Sequence, residues 1–442
     1  MPSSKRSPGK LRALHLAAVI FLTVSGGPYG LEPLFSYVGN HGALVLLLVT
    51  PLLWDVPTIL TVLELNSLMP TTGGYYQWVK RALGLRWAFF EGWWTWLYTF
   101  CDLAIYPVLF VGYAAYFFPE IAAYKIPCCF LIIWSSALLN IFGIVPVGRT
   151  SLVLTVLVLV PFFFAFGMAF LHPASTKLSP HLATHSFPDI SLALYTVMWN
   201  FIGWDNATTY AGEVSRPIRS YVVSVCMAFL ITVSIYVLAT LAVARSGVDA
   251  LQLKDAGFPL LGEIIGGHWL GMLIAAGGMA STIGLYSAVL LSVSRVPQVM
   301  GDDKLLPAAF CTLHARFKTP YISIITSSLV VSVLVLFTFS DLIIMDIILY
   351  GAGLALEFLA LLILRAREPN IRRPFRIPLG KTGLVFLFLL PVVIYTVALT
   401  GAIQSSEKIG LPLYLAIGML FSPAIVWPFI RRRHNKTLTS TG

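Results

Sequence analysis

Twelve apolar segments follow one another through the chain with only short polar stretches between them. They lie near 12–37, 42–67, 86–117, 127–145, 149–171, 190–214, 221–245, 269–299, 320–339, 342–365, 382–403 and 411–430. About 20 apolar residues in helical form cross the hydrocarbon core of a bilayer. Backbone N–H and C=O groups find no water there, so each segment must satisfy them within itself, as helix. The 442 residues are 58% hydrophobic and only 11% charged, whereas soluble domains carry about 25% charged residues. The expected fold class is therefore an all-α integral membrane protein of twelve transmembrane helices, forming one domain over residues 1–442. The first segment runs on past Pro28 without a small-residue cleavage site, so it reads as a membrane helix and not as a cleaved signal peptide.

Charge placement sets the orientation. With a cytoplasmic N-terminus, 24 of the 29 Lys and Arg fall in the N-tail, the inner loops and the C-tail. Only Lys125, Lys177, Arg245, Lys254 and Lys408 fall outside. The positive-inside rule then predicts a multi-pass protein of the cell (plasma or inner) membrane with both termini in the cytoplasm. The same placement explains the net charge of +10 as topology and contact with anionic lipid, with no nucleic-acid partner. The five cysteines, Cys101, Cys128, Cys129, Cys226 and Cys311, show neither metal nor disulfide spacing.

Two interruptions stand out against this apolar background. The stretch Met198–Arg219 carries Asn200, Gly203, Asp205, Asn206, Thr208, Thr209 and Glu213 inside the sixth segment. Buried amides and carboxylates are costly without partners, so a lipid-facing helix is excluded. One reading is a discontinuous helix lining a substrate cavity; the other is a packed helix whose polar groups bond to its neighbours. Ser25-Gly26-Gly27-Pro28 breaks the first segment in the same way, and its plainer alternative is a proline kink. Paired breaks at corresponding places in two halves of a chain point to a transporter site near mid-membrane. Backbone groups at Ser25, Gly26, Gly27, Asn200, Phe201, Ile202 and Gly203 are accordingly expected to contact the substrate, with Trp204 covering it. Amides freed at the helix-1 break would face an anion such as a carboxylate.

Carboxylates within the apolar segments are the remaining chemical signal: Asp55, Glu64, Asp102, Asp205 and Glu357. Ionisable groups at that depth are functional candidates. Asp102 lies one turn from Tyr106, which predicts a pocket of acid plus aromatic, and Trp199 and Trp204 flank the sixth-segment break. Aromatic faces attract cations, although tryptophans also serve simply as packing.

Several loop motifs complete the pattern: Pro70–Trp78 (PTTGGYYQW), Ala211–Val214 (AGEV) with Pro217, Gly301–Pro307 (GDDKLLP) and Arg373–Gly380 (RPFRIPLG). Together with the helix-1 break they span most of the chain, and the chain resembles the amino acid–polyamine–organocation (APC) superfamily. That resemblance implies a LeuT-type inverted repeat of five plus five helices, 12–171 and 190–365, followed by two further helices over 382–430. Trp199-Asn200, Trp204-Asp205, Tyr106–Phe110 (YPVLF) and Leu356-Glu357-Phe358 look most like polyamine:proton symporters, with L-type amino-acid transporters as more distant relatives. Some proton-coupled relatives carry a lysine midway along helix 5; here Thr155 takes that place. The ion-coupling candidates are then the carboxylates Asp55, Asp205 and Glu357, or Ser281 and Thr282 for sodium. Pro70–Trp78 reads as an interfacial segment over the inner mouth. Arg216, Arg219, Arg295, Lys304 and Arg376 can pair with Asp302, Asp303 and Glu213 to close that mouth.

Other chemistries find little support. Gly380-Lys381-Thr382 resembles the end of a P-loop, but Phe375 stands where its first glycine is required. No histidine pair has zinc spacing and no nucleotide site is visible, so no metal and no cofactor is expected. A channel would need a repeated pore motif and charge rings, and an enzyme a nucleophile–base set. The expected function is ion-coupled import of polyamines and/or amino acids by alternating access, with protons preferred over sodium and with the small-molecule substrate, a coupling ion and the lipid bilayer as partners; a sodium-coupled or exchange-type amino-acid transporter is the alternative within that class. A non-transporting membrane subunit or scaffold, paired with a single-span partner, is the alternative from another class.

Overall fold

The computed structural model describes residues 12–171, 186–214, 217–337, 339–404 and 410–439. Lys177, Arg216 and Lys408, used above for topology and for closure, lie outside the described residues. The first half comprises α1 (Ala13–Val24), α2 (Glu32–Thr50), α3 (Val56–Leu68), α4 (Gly74–Leu83), α5 (Leu85–Ala114), α6 (Lys125–Ile141) and α7 (Ile144–Leu171). The second continues with α8 (Phe187–Trp199), α9 (Pro217–Ser246), α10 (Ala250–Ala256), α11 (Phe258–Gly266), α12 (His268–Val293), α13 (Arg295–Asp302), α14 (Tyr321–Leu334) and α15 (Phe339–Arg367). Two last helices follow, α16 (Lys381–Gln404) and α17 (Gly410–Thr439). The described residues contain no strand, only an isolated bridge between Thr72 and Tyr210.

Nine helices among the described residues are long and apolar enough to cross a membrane, and α1 and α14 are shorter apolar helices. Their outward faces fit that medium: Leu131, Phe163, Val333, Phe386 and Phe429 all stand exposed on the surface. Water would oppose so many apolar side chains at a surface, whereas lipid does not. The protein is an all-α integral membrane protein.

Local sequence sets the irregularities. No loop separates the first two apolar segments. Glu32–Leu68 holds two helices that meet across a kink at Gly39, where φ is +63° and ψ −179°, and the second is widened by a π-helical turn, Pro51–Asp55. That turn widens the helix at Asp55, and π turns of this kind gather at functional positions. Pro70–Trp78 enters α4, an amphipathic helix with Tyr75, Tyr76 and Trp78 buried. The Gly73 amide reaches Thr209 O at 2.8 Å and so ties this segment to the sixth-segment break. Helix α12 lies at the centre, packed on α1, α5, α7 and α11, while α16 and α17 lie at the edge.

Candidate functional site

The site begins with the two breaks. Helix α1 ends at Val24, after which Gly26, Gly27 and Gly30 take φ values of +60°, +98° and +90°. Only glycine enters that region without strain, so the sequence itself ends the helix there. Helix α8 ends at Trp199, and Gly203 follows at φ +101°. The breaks touch: a Cβ on Gly203 would lie 3.2 Å from the Thr23 carbonyl oxygen. Between them is a cavity of about 10 Å³ lined by Thr23, Ser25, Tyr106, Trp199, Asn200 and Ile202, among others. That is room for about one water molecule, so this conformation is closed around its site.

Asp102 stands behind the cavity wall and holds two of the residues that line it, Tyr106 and Trp199. It is buried, and its Oδ1 accepts the Tyr106 hydroxyl at 2.6 Å and the Trp199 indole N–H at 3.2 Å. Acid and aromatics thus meet as their spacing predicts.

The remaining break residues are placed differently. Gly26 lies against Ser281 and Leu285, and Gly27 against Val158. Their amides are already engaged: Ser25 and Gly26 donate to Phe21 O, and Gly27 donates to Ser25 Oγ at 3.1 Å. Phe201 packs edge-to-face on Tyr236, 5.0 Å between ring centroids. Trp204 does not line the cavity; its indole N–H goes to Asp55 Oδ1 at 3.0 Å and its ring packs on Phe229. Ser281 Oγ is buried without a partner, whereas the Thr282 hydroxyl bonds to Met279 O. Thr155 is buried with an unpartnered hydroxyl.

A second polar group lies around Asp205. Tyr350 donates its hydroxyl to Asp205 Oδ1 at 3.0 Å, and the Glu357 carboxyl is within hydrogen-bonding reach of Asp205. Tyr98 donates to Asn206 Oδ1 at 3.3 Å and packs edge-to-face on Tyr350. Three buried carboxylates escaped the sequence reading: Glu32, Glu91 and Asp346. The signal was present for the last two, since Phe-Phe-Glu-Gly and Ile-Met-Asp-Ile also place an acid in an apolar run. The Asp102 charge acts on Asp346, and Glu91 is in range of Asp205 and Glu357.

Glu64 is a structural acid. Arg365 holds it with two nitrogens, at 2.8 and 2.5 Å, and the Ile377 amide donates to it at 2.8 Å. Of the expected closing pairs, Arg295–Glu213 forms, with Nε–Oε1 at 3.0 Å. Asp303 instead takes Lys80 at 2.5 Å and the Tyr76 hydroxyl at 2.6 Å. Arg219 and Arg376 are exposed, and neither they nor Lys304 form an ion pair among the described residues. No group of three His, Cys, Asp or Glu able to hold a metal occurs among the described residues.

The sequence profile of the amino acid permease family matches residues 11–421. "Polyamine transporter PUT1" of Oryza sativa subsp. japonica is 32% identical over 433 residues, covering 96% of this chain and 79% of its own length. "Polyamine transporter RMV1" of Arabidopsis thaliana is 31% identical over 428 residues, covering 94% and 85%. "Serine/threonine exchanger SteT" of Bacillus subtilis (strain 168) is 24% identical over 346 residues, covering 72% and 74%. A matched profile over nearly the whole chain, two breaks meeting at a buried site and a helical membrane-spanning architecture agree: this chain belongs to the amino acid permease family, within the APC superfamily.

Proposed function

We propose that this chain is a proton-coupled secondary transporter that imports polyamines by alternating access. The observation that carries the reading is Asp102. It is buried directly behind the cavity between the breaks, bonded to the lining residues Tyr106 and Trp199, and among the described residues it forms no ion pair. A buried carboxylate without a cation is costly, and an ammonium group arriving between two aromatic faces supplies that cation. The helix-1 break supports the same choice. The amides of Ser25, Gly26 and Gly27 are engaged within the chain, and the Gly30 amide goes to Glu32 Oε2 at 2.7 Å. The α-carboxylate of an amino acid would have to displace these bonds, whereas a polyamine carries no carboxylate. The polyamine transporters among the relatives point to the same substrate class.

Proton coupling rests on Asp205 and Glu357, which lie within hydrogen-bonding reach of each other and form no ion pair among the described residues. Two carboxyls bond to one another only through a shared proton. Alternating access rests on closure at both ends of the cavity. On one side Tyr29, Tyr113, Phe162 and Phe258 pack edge-to-face. On the other, Tyr221 donates to Trp204 O at 2.6 Å and Thr209 donates to Ser292 O at 3.0 Å. Twelve crossings in a five-plus-five repeat, with both termini cytoplasmic in the cell membrane, complete the reading on charge placement and family resemblance.

Replacing Asp102 tests the substrate class. Asp102→Asn, reconstituted in liposomes, should lose uptake of labelled putrescine and spermidine, while Asp102→Glu, which keeps a carboxyl, should retain part of it. Unchanged polyamine uptake by Asp102→Asn would move the reading to amino acids.

A further inference from the structure

Helices α5 and α15 carry matched rows of polar groups. On α5, Asp102, Tyr98 and Glu91 are spaced by four and seven residues; on α15, Asp346, Tyr350 and Glu357 repeat the same spacing. Steps of four and seven keep a row on one helix face. These helices form a broad interface, and their rows meet level by level in antiparallel order. Asp346 and Asp102 interact at one end. The Tyr98 and Tyr350 rings meet at 5.3 Å in the middle. At the other end Glu91 and Glu357 interact with each other, and both with Asp205. A Cβ on Gly353 would lie 3.1 Å from Glu91 Oε1, so α15 presents bare backbone to that carboxyl.

The row is buried, and among the described residues no ion pair neutralises it. Asp346 is 0% exposed and neither of its carboxyl oxygens has a hydrogen-bond partner. Glu91 and Glu357 are each 1% exposed, and each keeps one unpartnered oxygen. Asp346 is faced from α5 by Asp102, Cys101, Tyr98 and Tyr106. Around Glu91 and Glu357 stand Asp205 of the break, Tyr75 of α4, Tyr221 of α9 and Tyr350. The ion pairs formed among the described residues all lie elsewhere. Carboxyls lined up in this way cannot all be ionised, so the row is a place to hold protons.

We propose that the α5–α15 seam is the path of the coupled proton, running from Asp346 beside the substrate carboxylate Asp102 to Glu91 and Glu357. The proposal rests on the proton-coupled reading above and names the residues that carry it out. Eleven residues separate Asp102 from Glu91, about 16 Å along the helix, or roughly half the hydrocarbon thickness of about 30 Å. Each step moves one proton: an O–H bond breaks on one carboxyl as another forms on the next. Asp346, one turn from Tyr350 and without a hydrogen-bond partner in this closed conformation, breaks its O–H bond to give the proton to the Tyr350 oxygen as the Tyr350 hydroxyl proton passes to Asp205 Oδ1, so the tyrosine O–H is broken and remade. Asp205 then passes a proton to Glu357, and Glu357 to Glu91.

The test separates coupling from substrate binding. The full chain, Glu91→Gln, Asp346→Asn and Glu91→Asp are reconstituted in liposomes. Two readouts are taken for each: putrescine accumulation driven by an imposed inward proton gradient, and putrescine–putrescine exchange without any gradient. Exchange reports folding and substrate binding. We expect Glu91→Gln and Asp346→Asn to lose proton-driven accumulation while keeping exchange, and Glu91→Asp, which retains a carboxyl, to keep both. Proton-driven accumulation surviving in Glu91→Gln and Asp346→Asn overturns the path. So does loss of exchange together with accumulation, which assigns these residues to binding or folding. A wild type that exchanges putrescine without responding to protons defeats the coupled reading itself, and one that ignores putrescine defeats the substrate reading.

Discussion

Glu32 closes the helix-1 break on Gly30: its Oε2 accepts the Gly30 amide at 2.7 Å, at the N-terminus of α2. Its other oxygen accepts the Tyr113 hydroxyl at 2.8 Å and the Phe258 amide at 3.4 Å. One buried carboxylate therefore ties the break to α5 and α11. It also occupies the helix N-terminus that would otherwise attract a substrate anion.

Tyr113→Phe removes one donor and leaves Glu32 short of a partner within the fold. A buried polar group left unsatisfied costs about 1–3 kcal/mol. The variant should unfold at a lower temperature than the wild type in the same detergent, and an unchanged midpoint would show that Glu32 does not depend on this bond.

Gly26 has no room for a side chain. Its φ is +60°, and a Cβ would stand 2.6 Å from Ser281 Oγ and 2.7 Å from Leu285. Gly26→Leu should therefore force α1 away from α12 and abolish putrescine binding in protein that still purifies as a single species. Retained affinity in that folded variant would contradict the placement of the site between the breaks.

Glu64 and Arg365 are both buried, with Arg373 also within 3.4 Å of Glu64. Removing one partner of a buried pair costs about 3–5 kcal/mol, because the other charge is left unpaired. Glu64→Gln should lower thermal stability much more than Lys80→Gln, whose Asp303 pair is partly exposed. Equal effects of the two substitutions would show that Glu64 is not the stronger tie.

The sequence disclosed what depends on single residues and hid what depends on packing. Glycine announced both breaks, because only glycine takes without strain the positive φ found at Gly26, Gly27 and Gly203. The Asp102–Tyr106 bond was legible because one helical turn separates the two. The direction of Trp204 was not legible, since Asp55 is 149 residues away and the π turn that presents it leaves no periodic signal. Glu32 was hidden because its partners Tyr113 and Phe258 come from two elements remote in sequence, α5 and α11. The α5–α15 rows share one spacing, but only the antiparallel contact of the two helices shows that they meet.

Uptake by the wild-type chain alone in liposomes tests the central claim most directly. Labelled putrescine, spermidine, arginine and leucine are offered with and without an inward proton gradient, in sodium and in choline buffer. The account predicts that the two polyamines accumulate, that the proton gradient drives them, that choline replaces sodium without effect and that leucine stays out. Accumulation of leucine or arginine with no polyamine uptake would contradict the substrate. A strict sodium requirement would contradict the coupling and transfer it to Ser281 and Thr282.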